Sequence, residues 1–299
     1  MSTTPNLDIL SAVRIVSQTQ AVSRSEVAAV VLLTYDILTT FGDEVELIWR
    51  KQWTTAKGMY FASRYIPWMF ELALLTINID GTTGLFFTMS QCRKWMIVQA
   101  VTLQLIVTIV DVILMTRVYA LFNRNRTLLW VLIVLFCGEI SYMSYVLSYV
   151  TPKLTYNDDC FVTSSPPIFV SYWIVSLVFE TFLFLLTLVK FFEALRRGWG
   201  HRPIMRQFIS DGTWAYALIF ATMSLNSMLY KFVHSPLAGI CFTWLLSVLS
   251  IAGSRLVLNP RRRSQEESSK LEDLSPISPT TRLAFKDTQL DSSLSTNGF

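Results

Sequence analysis

Long apolar runs separated by short polar and often basic segments dominate the pattern of this chain. The clearest run, residues 95–116, contains one charged residue, Asp111, and basic residues lie beyond both of its ends. About 20 apolar residues in an α-helix cross the hydrocarbon core of a bilayer, so this run predicts a transmembrane helix. Together with six similar runs it predicts an all-α, polytopic membrane protein whose seven transmembrane helices span about 26–48, 58–79, 95–122, 128–150, 168–195, 213–233 and 236–258.

The two ends of the chain lack such runs. Residues 1–24 are polar and rich in Ser and Thr, which fits either a flexible tail or a weak surface helix. Residues 259–299 open on Arg261-Arg262-Arg263 and are also rich in Ser and Thr. Such a composition cannot bury a core, so it predicts a disordered tail after a transmembrane domain at 25–258.

Composition supports a membrane protein. Of the 299 residues, 52% are hydrophobic and only 15% are charged, whereas a soluble domain carries about 25% charged residues. The net charge of +4 does not indicate nucleic acid, because the basic residues lie at the ends of predicted helices. We therefore expect the lipid bilayer as a partner and no nucleic acid.

Basic residues also predict the orientation of the helices, because cytoplasmic loops carry an excess of Lys and Arg. One side of the predicted membrane carries most of them: Arg50, Lys51, Lys57, Arg117, Arg124, Arg126, Lys190, Arg196, Arg197, Arg202, Arg206, Arg255 and Arg261–Arg263. This predicts an outside N-terminus and a cytoplasmic tail, in the plasma membrane or another membrane of the secretory pathway. The single glycosylation sequon, Asn125-Arg126-Thr127, falls on the cytoplasmic side, so a glycan on Asn125 would contradict this orientation.

Two of the four cysteines, Cys92 and Cys160, fall on the predicted non-cytoplasmic side. In an oxidising compartment they are candidates for a disulfide between the start of the third helix and the loop after the fourth. The alternative is two free thiols. Cys137 and Cys241 lie within predicted helices and are expected to serve only in packing.

Five predicted helices each carry one carboxylate near half depth. These are Asp36, Glu71, Asp111, Glu139 and Glu180, and the one base at comparable depth is Arg64. An isolated charge in hydrocarbon costs at least ~2.5–3.5 kcal/mol, so these side chains should face the bundle interior. Five acids against one base need protons, water or a bound cation, which indicates a cation, proton or amine-ligand site. The alternative is hydrogen bonding by neutral carboxylic acids, with Asp36 or Glu71 paired to Arg64.

The cytoplasmic end of the third helix carries Arg117 and Tyr119, followed by Arg124 and Arg126. A Cys at the outer end, Arg-x-Tyr at the inner end and a Cys in the next outer loop are similar to the layout of rhodopsin-like receptors. Those receptors have an acidic residue before the Arg, where this chain has Thr116. The pattern indicates a coupling face for a cytoplasmic signalling partner, and the alternative is an arginine that snorkels to the membrane surface.

The C-terminal tail carries two proline-directed serines, Ser275 and Ser278. Their phosphorylation would weaken the attraction of Arg261–Arg263 for anionic lipid, which would make the tail regulatory. A tail without regulation is the alternative.

The first two helices resemble a known family. Tyr35-Asp36-x-Leu38-x-Thr40, then Glu44-Val45-Glu46-Leu47-Ile48-Trp49 and Arg64-Tyr65-Ile66-Pro67, are similar to the N-terminal signature of fungal multi-spanning membrane proteins classed as a domain of unknown function. The resemblance extends over about residues 25–260 and includes Cys92-Arg93-Lys94-Trp95 and the segment from Arg117 to Asn125. It implies a seven-helix fungal membrane protein and supplies no ligand.

The leading functional hypothesis is a receptor-like or sensory protein without catalytic activity, which responds to an unknown small ligand or cation. The alternative is a cation or proton transporter or channel that uses the mid-membrane carboxylates. An enzyme is not expected, since the two histidines, His201 and His234, fall at opposite membrane faces and no loop can hold a catalytic domain. We predict no catalytic residue, metal site or cofactor.

Overall fold

The computed structural model describes residues 5–50, 52–78, 88–156, 162–164, 166–196, 203–232 and 239–273. These residues form seven α-helices: α1 (Pro5–Glu44), α2 (Thr55–Asn78), α3 (Met89–Leu121), α4 (Arg126–Val150), α5 (Phe169–Arg196), α6 (Pro203–Phe232) and α7 (Ile240–Asp273). Two short strands, β1 (Thr155–Tyr156) and β2 (Val162–Ser164), pair antiparallel between α4 and α5. A single π-helical turn, Val45–Trp49, continues α1.

The chain is a membrane protein, because five helices of its described part are long and apolar enough to cross a bilayer. These segments are Gln20–Trp49, Ser90–Leu121, Arg126–Lys153, Phe169–Glu193 and Ile240–Arg262. The helix α2 is not among them, since the charged residues Lys57, Arg64 and Glu71 lower its hydropathy. The apolar part of α6, Trp214–Leu229, is shorter than a full span.

Large apolar side chains lie exposed on the outer surface of the helices, where lipid replaces water as the solvent. Examples are Val31, Leu38, Val134, Val178, Leu185 and Val189. Exposed apolar area on this scale would be a liability in a soluble monomer and is expected for a bundle embedded in lipid.

Successive helices pack side by side in opposite directions. Along α1, Thr34 and Asp36 contact Trp68 and Arg64 of α2, in the reverse order along the chain. Contacts also join α2 to α3, α3 to α4, α4 to α5 and α5 to α6. In addition, α3 packs against α5, which runs in the same direction: Gln104 contacts Tyr172 and Asp111 lies by Glu180. The largest apolar core contains buried residues of α2 to α7, and α3 contributes more of them than any other helix.

The helix α7 is the most buried of the five long apolar helices. Two thirds (67%) of the residues in its most apolar stretch are buried, against 17–39% in the other four helices. Gly253 lies where α7 passes α2 and α3: a Cβ atom there would be 3.4 Å from Cγ2 of Val110 and 3.5 Å from Cβ of Ser63. A small residue at this position therefore permits close approach of the three helices.

Serines of α7 form one buried polar face. Ser247, Ser250 and Ser254 are separated by three and four residues, which places them on the same side of a helix, and each is fully buried. The hydroxyl of Ser250 donates to the backbone carbonyl of Arg64 at 3.1 Å, and Ser247 lies 3.2 Å from the carbonyl of Ala29. Hydrogen bonds of this kind join α7 to α1 and α2.

The first and last helices are longer than the apolar pattern predicts. Residues 5–24 belong to α1. Of the two alternatives for the N-terminal segment, the structure therefore has the helix. The end of α7 lies at Asp273, so the prediction of disorder from Asn259 is wrong for residues 259–273. By packing density, the described residues up to Asn259 form one compact unit, and residues 260–273 belong to a second.

The C-terminal extension of α7 is supported by charge rather than by apolar periodicity. Arg262 and Arg263 precede Glu266 and Glu267 by four residues, and opposite charges at this spacing stabilise a helix. A polar segment of this kind gives no hydrophobic pattern, so the sequence prediction ends the helix too early. Both phosphorylation candidates, Ser275 and Ser278, lie outside the described residues.

The turn between α3 and α4 is tight and is closed by a helix cap. Asn123 (φ 54°) and Arg124 (φ 59°) adopt left-handed backbone conformations. The side-chain oxygen of Asn125 then accepts hydrogen bonds from the backbone N–H groups of Thr127 at 2.9 Å and Leu128 at 3.4 Å. Asn125 thus satisfies two donors that the start of α4 would otherwise leave free.

We expect Asn125→Ala to lower the free energy of unfolding by about 1 kcal/mol, because it removes the cap of α4. Asn125→Asp keeps the acceptor oxygen and should stay close to the wild type. Denaturant unfolding in lipid nanodiscs, followed by circular dichroism, measures both. Thr127→Ala removes the sequon while leaving the cap, so an equal loss in that variant would contradict the capping role.

Candidate functional site

Four charged residues of α1, α2 and α7 meet inside the helix bundle. Asp36 and Glu44 of α1, Arg64 of α2 and Arg255 of α7 form this group, which we call the ionic quartet. The side chains of Asp36, Glu44 and Arg64 are buried, and that of Arg255 is 54% exposed. Two acids and two bases give the quartet a net charge of zero.

Arg64 is the centre of the quartet and is 1% exposed. Its Nη1 atom donates to Asp36 Oδ2 at 3.4 Å and to Ser254 Oγ at 3.1 Å. Its Nη2 atom donates to the Thr40 hydroxyl and to the Asp36 carbonyl at 3.3 Å. Its Nε atom lies 3.1 Å from Glu44 Oε2 in an ion pair without hydrogen-bond geometry. The guanidinium group is therefore held by α1 and α7 together.

Glu44 is held by two aromatic side chains near the turn between α1 and α2. Its Oε1 atom accepts hydrogen bonds from the Tyr65 hydroxyl at 2.8 Å and from Trp49 Nε1 at 3.0 Å. The π-helical turn after Glu44 brings Trp49 back onto this carboxylate, and Lys57 donates to the Trp49 carbonyl at 3.0 Å. This geometry buries a carboxylate that lies near the end of the first predicted helix, 26–48.

Arg255 reaches the quartet from α7 and shares one acid with Arg64. Its Nη2 atom lies 2.5 Å from Asp36 Oδ1, while Arg64 binds the other oxygen of the same carboxylate. Hydrogen bonds between charged partners are the strongest in proteins, and both oxygens of Asp36 are engaged in this way. The side chain of Arg255 is half exposed and that of Arg64 is buried. Water can therefore replace the Arg255–Asp36 bond more readily than the Arg64–Asp36 bond.

A second group of charged residues joins α3, α4 and α5. Asp111, Glu139 and Glu180, which we call the acid trio, are 1%, 4% and 1% exposed. The Asp111 and Glu180 carboxyl groups lie within hydrogen-bonding reach of each other, and Glu139 interacts electrostatically with both. Within the described residues no Lys, Arg or His side chain forms an ion pair with the trio, and no group of His, Cys, Asp and Glu is arranged to hold a metal ion.

Glu71, the remaining mid-membrane carboxylate, belongs to neither group. It is fully buried and accepts a hydrogen bond from the Ser247 hydroxyl of α7 at 2.8 Å. Glu26 of α1 interacts with it electrostatically. Of the two partners considered for Arg64, Asp36 is in contact with it and Glu71 pairs with Ser247. The five carboxylates thus form three separate environments and do not make a single site.

The residues predicted to form a cytoplasmic coupling face lie at the end of α3 and in the turn that follows. Arg124 and Arg126 are exposed, while Arg117 and Tyr119 are half-buried. Arg117 interacts electrostatically with Tyr216 of α6, whose hydroxyl donates to the carbonyl of Leu114 at 2.8 Å. The exposed pair is therefore free to meet a partner, whereas Arg117 contributes to the contact between α3 and α6.

Cys92 at the start of α3 is disulfide-bonded and buried. Its predicted partner, Cys160, lies outside the described residues, so that pairing stays a prediction. Cys137 and Cys241 are free.

Residues 25–69 match a family described as "Family of unknown function (DUF6533)". The matched segment is the α1–α2 hairpin, which holds Asp36, Glu44 and Arg64 of the quartet. The comparison with curated proteins found no match. The family match thus covers three of the four quartet residues, while Arg255 of α7 lies outside it, and the match assigns no activity to them.

Sequence reasoning missed three contributors to the quartet: Glu44, Arg255 and the serine face of α7. Glu44 follows an apolar run and resembles a residue at a helix end, and Arg255 resembles a cytoplasmic charge near the end of the last span. A signal for the serines was present, since Ser247, Ser250 and Ser254 share one face of an otherwise apolar helix. Polar residues at helical spacing in such a helix indicate a contact with another helix.

We expect Arg64→Gln to lower the free energy of unfolding by about 3–5 kcal/mol, because it leaves the buried Glu44 carboxylate without a counter-charge and Asp36 with Arg255 alone. Arg255→Gln should cost clearly less, since Asp36 keeps Arg64 and Arg255 is half exposed. Denaturant unfolding of the purified protein in nanodiscs measures both. Lys190→Gln, which breaks the half-buried Lys190–Glu193 pair, is the matched control and should change stability by less than about 0.5 kcal/mol. Equal losses for all three variants would contradict the central role of Arg64.

Proposed function

We propose that the protein is a receptor-like, sensory membrane protein without catalytic activity, in which α1 to α7 cross the bilayer with the N-terminus outside and the C-terminus in the cytoplasm. The observation that carries this proposal is the ionic quartet. It links α7 to α1 and α2 through one carboxylate, Asp36, that is shared between a buried arginine and a half-exposed one. A shared acid of this kind allows α7 to exchange one partner for another, as a helix must when a receptor changes state.

Seven spans are supported by the packing of the two helices that are not apolar enough on their own. The charges that lower the hydropathy of α2 are buried: Arg64 is neutralised within the quartet, and Glu71 is bonded to Ser247. The helix α6 packs along α5, for example through the stacked rings of Phe184 and Phe220, 5.7 Å apart. Polar residues are accommodated in a span when they face other helices instead of lipid.

The orientation is supported by the basic residues of the described loops. Because successive helices alternate in direction, Arg50, Arg124, Arg126 and Arg196 lie at the same end of the helices, which is also the end where the quartet joins α7. An excess of Arg and Lys at one end marks the cytoplasmic side. The plasma membrane or another membrane of the secretory pathway is the proposed location.

We expect Asn125 to carry no glycan when the protein is expressed in eukaryotic cells, since the proposed orientation puts it in the cytoplasm. Asp8→Thr creates a sequon at Asn6 in the proposed outside segment, and this variant should gain a glycan. Gel mobility before and after glycosidase treatment reads both results. A glycosidase-sensitive shift that disappears in Thr127→Ala would contradict the orientation.

The sensory function predicts a stimulus-dependent effect on a cytoplasmic partner through the exposed pair Arg124 and Arg126. The test uses the full chain in nanodiscs with a purified heterotrimeric G protein and measures guanine-nucleotide exchange while pH and a panel of cations are varied. Arg124→Ala with Arg126→Ala should reduce stimulated exchange roughly tenfold, the effect of losing about 1.4 kcal/mol of binding energy. Arg93→Ala with Lys94→Ala, an exposed basic pair at the opposite end of α3, is the matched control and should leave exchange unchanged.

A transporter or channel is the second candidate, and the acid trio is the observation that favours it. Vesicles that contain the protein are therefore tested for cation and proton flux beside the exchange assay. Flux that depends on pH and is abolished by Asp111→Asn with Glu139→Gln, in the absence of any exchange, would overturn the sensory proposal in favour of transport.

A further inference from the structure

The acid trio is a buried group with unused hydrogen-bonding capacity. One oxygen of Asp111 and both oxygens of Glu139 and Glu180 have no hydrogen-bond partner within the described residues other than the carboxyl groups themselves. Water and basic side chains normally satisfy such atoms, and an orphaned carboxylate in a low-dielectric interior is strongly destabilising. Something besides the described protein atoms must therefore balance the trio.

A second buried polar group, the hydroxyl of Ser176 on α5, lies beside the acid trio. The other serine and the threonines of this helix donate to backbone carbonyls three or four residues earlier: Ser171 to Ile168 at 2.6 Å, Thr181 to Leu177 at 2.6 Å and Thr187 to Leu183 at 3.0 Å. The Ser176 hydroxyl makes no such bond, although its residue is fully buried, and it faces Glu139. It is turned away from its own backbone and toward the trio.

The groups around the trio are acids and phenols. Tyr172 of α5 interacts electrostatically with Glu139 and Asp111 and donates to Gln104 at 3.1 Å. Tyr216 of α6 interacts electrostatically with Glu180, Asp111 and the base Arg117 of α3.

On α2, which packs against α3, the buried titratable residues are Lys57, Tyr60, Arg64 and Glu71. Arg64 forms ion pairs with Asp36 and Glu44, Lys57 donates to the Trp49 carbonyl, and Glu71 interacts with Ser247 and Glu26. The charge of the trio is thus not offset by a described basic side chain. The ligand that this chemistry accepts most directly is the proton, because two carboxyl groups within hydrogen-bonding reach need one proton to make a bond.

We propose that the acid trio and Ser176 form a proton-binding site, and that release of its protons at higher pH drives α3, α4 and α5 apart. The hydrogen bond between Asp111 and Glu180 holds α3 to α5 only while one of the two carries a proton. After deprotonation, like charges in a medium of low dielectric repel each other. This inference rests on the proposed sensory function and names pH as its stimulus.

Infrared difference spectroscopy of the full chain in nanodiscs tests the site directly, without any cytoplasmic partner. The absorption of protonated carboxyl groups should be present in acidic buffer and lost in alkaline buffer. Asp111→Asn, Glu139→Gln and Glu180→Gln should each remove part of this signal. Glu193→Gln, a half-buried acid of the same helix α5 that is paired with Lys190, is the matched control and should leave it unchanged.

Thermal unfolding gives the second readout. Protons bound in the folded state and released on unfolding make stability fall as pH rises, by about tenfold in the folding equilibrium per pH unit for each proton held. The melting temperature of the wild type should therefore fall with rising pH, and that of Asp111→Asn should fall less. Ser176→Ala should move the midpoint of this change without removing the carboxyl signal, and Ser176→Thr should restore the midpoint.

Three results would overturn the proton site: a carboxyl signal unaffected by all three amide variants, a melting temperature with the same pH dependence in wild type and Asp111→Asn, or stabilisation of the wild type but not of Asp111→Asn by Na⁺, K⁺, Mg²⁺ or Ca²⁺ at constant pH. The last result would assign the trio to a metal cation. A proton site found in this way together with no nucleotide exchange at any pH would remove the proposed function and leave the site standing.

Discussion

The burial of the Arg64 guanidinium group is the constraint on which the rest of the described bundle depends. A charge taken out of water and left alone costs several kcal/mol, so it must be met by acids and hydrogen-bond acceptors. Two other helices supply them: α1 provides Asp36 and Glu44, and α7 provides Ser254. Arg255 balances the second acid, so α1, α2 and α7 are joined by charges whose sum is zero.

The two polar groups of the interior differ in a way that matters for function. The ionic quartet is balanced by side chains of the protein itself, and separating its helices would leave buried charges unpaired. The acid trio of α3, α4 and α5 has no basic partner among the described residues, so its charge depends on what the solvent supplies. The ionic quartet therefore fixes the positions of α1, α2 and α7. The acid trio, by contrast, makes the packing of α3, α4 and α5 depend on the pH of the solvent under the proposed proton binding.

Apolar periodicity predicts most of the fold but little of this chemistry. The fourth helix, predicted at 128–150 and observed at Arg126–Val150, is apolar to both ends and so is well placed by its pattern. Glu44 and Arg255 are misread because each resembles a charge at a membrane surface, and their partners are distant in sequence. The pairing of Arg255 with Asp36 joins residues 219 positions apart. Such contacts depend on which helices meet, and hydrophobic spacing within one helix carries no information about that.

The two polar groups are physically close at one point of α7. Gly253 lies between Val110, the residue before Asp111, and Ser63, the residue before Arg64. A Cβ atom at 253 would be in van der Waals contact with the Val110 side chain, at 3.4 Å, so α3 and α7 lie close together at this glycine. The next residue, Ser254, donates no bond to α3 but accepts one from Arg64. If loss of protons from the trio moves α3, the movement changes the packing of Val110 against Gly253. The hydrogen bond from Arg64 to Ser254, the next residue of α7, is then the polar contact closest to that change.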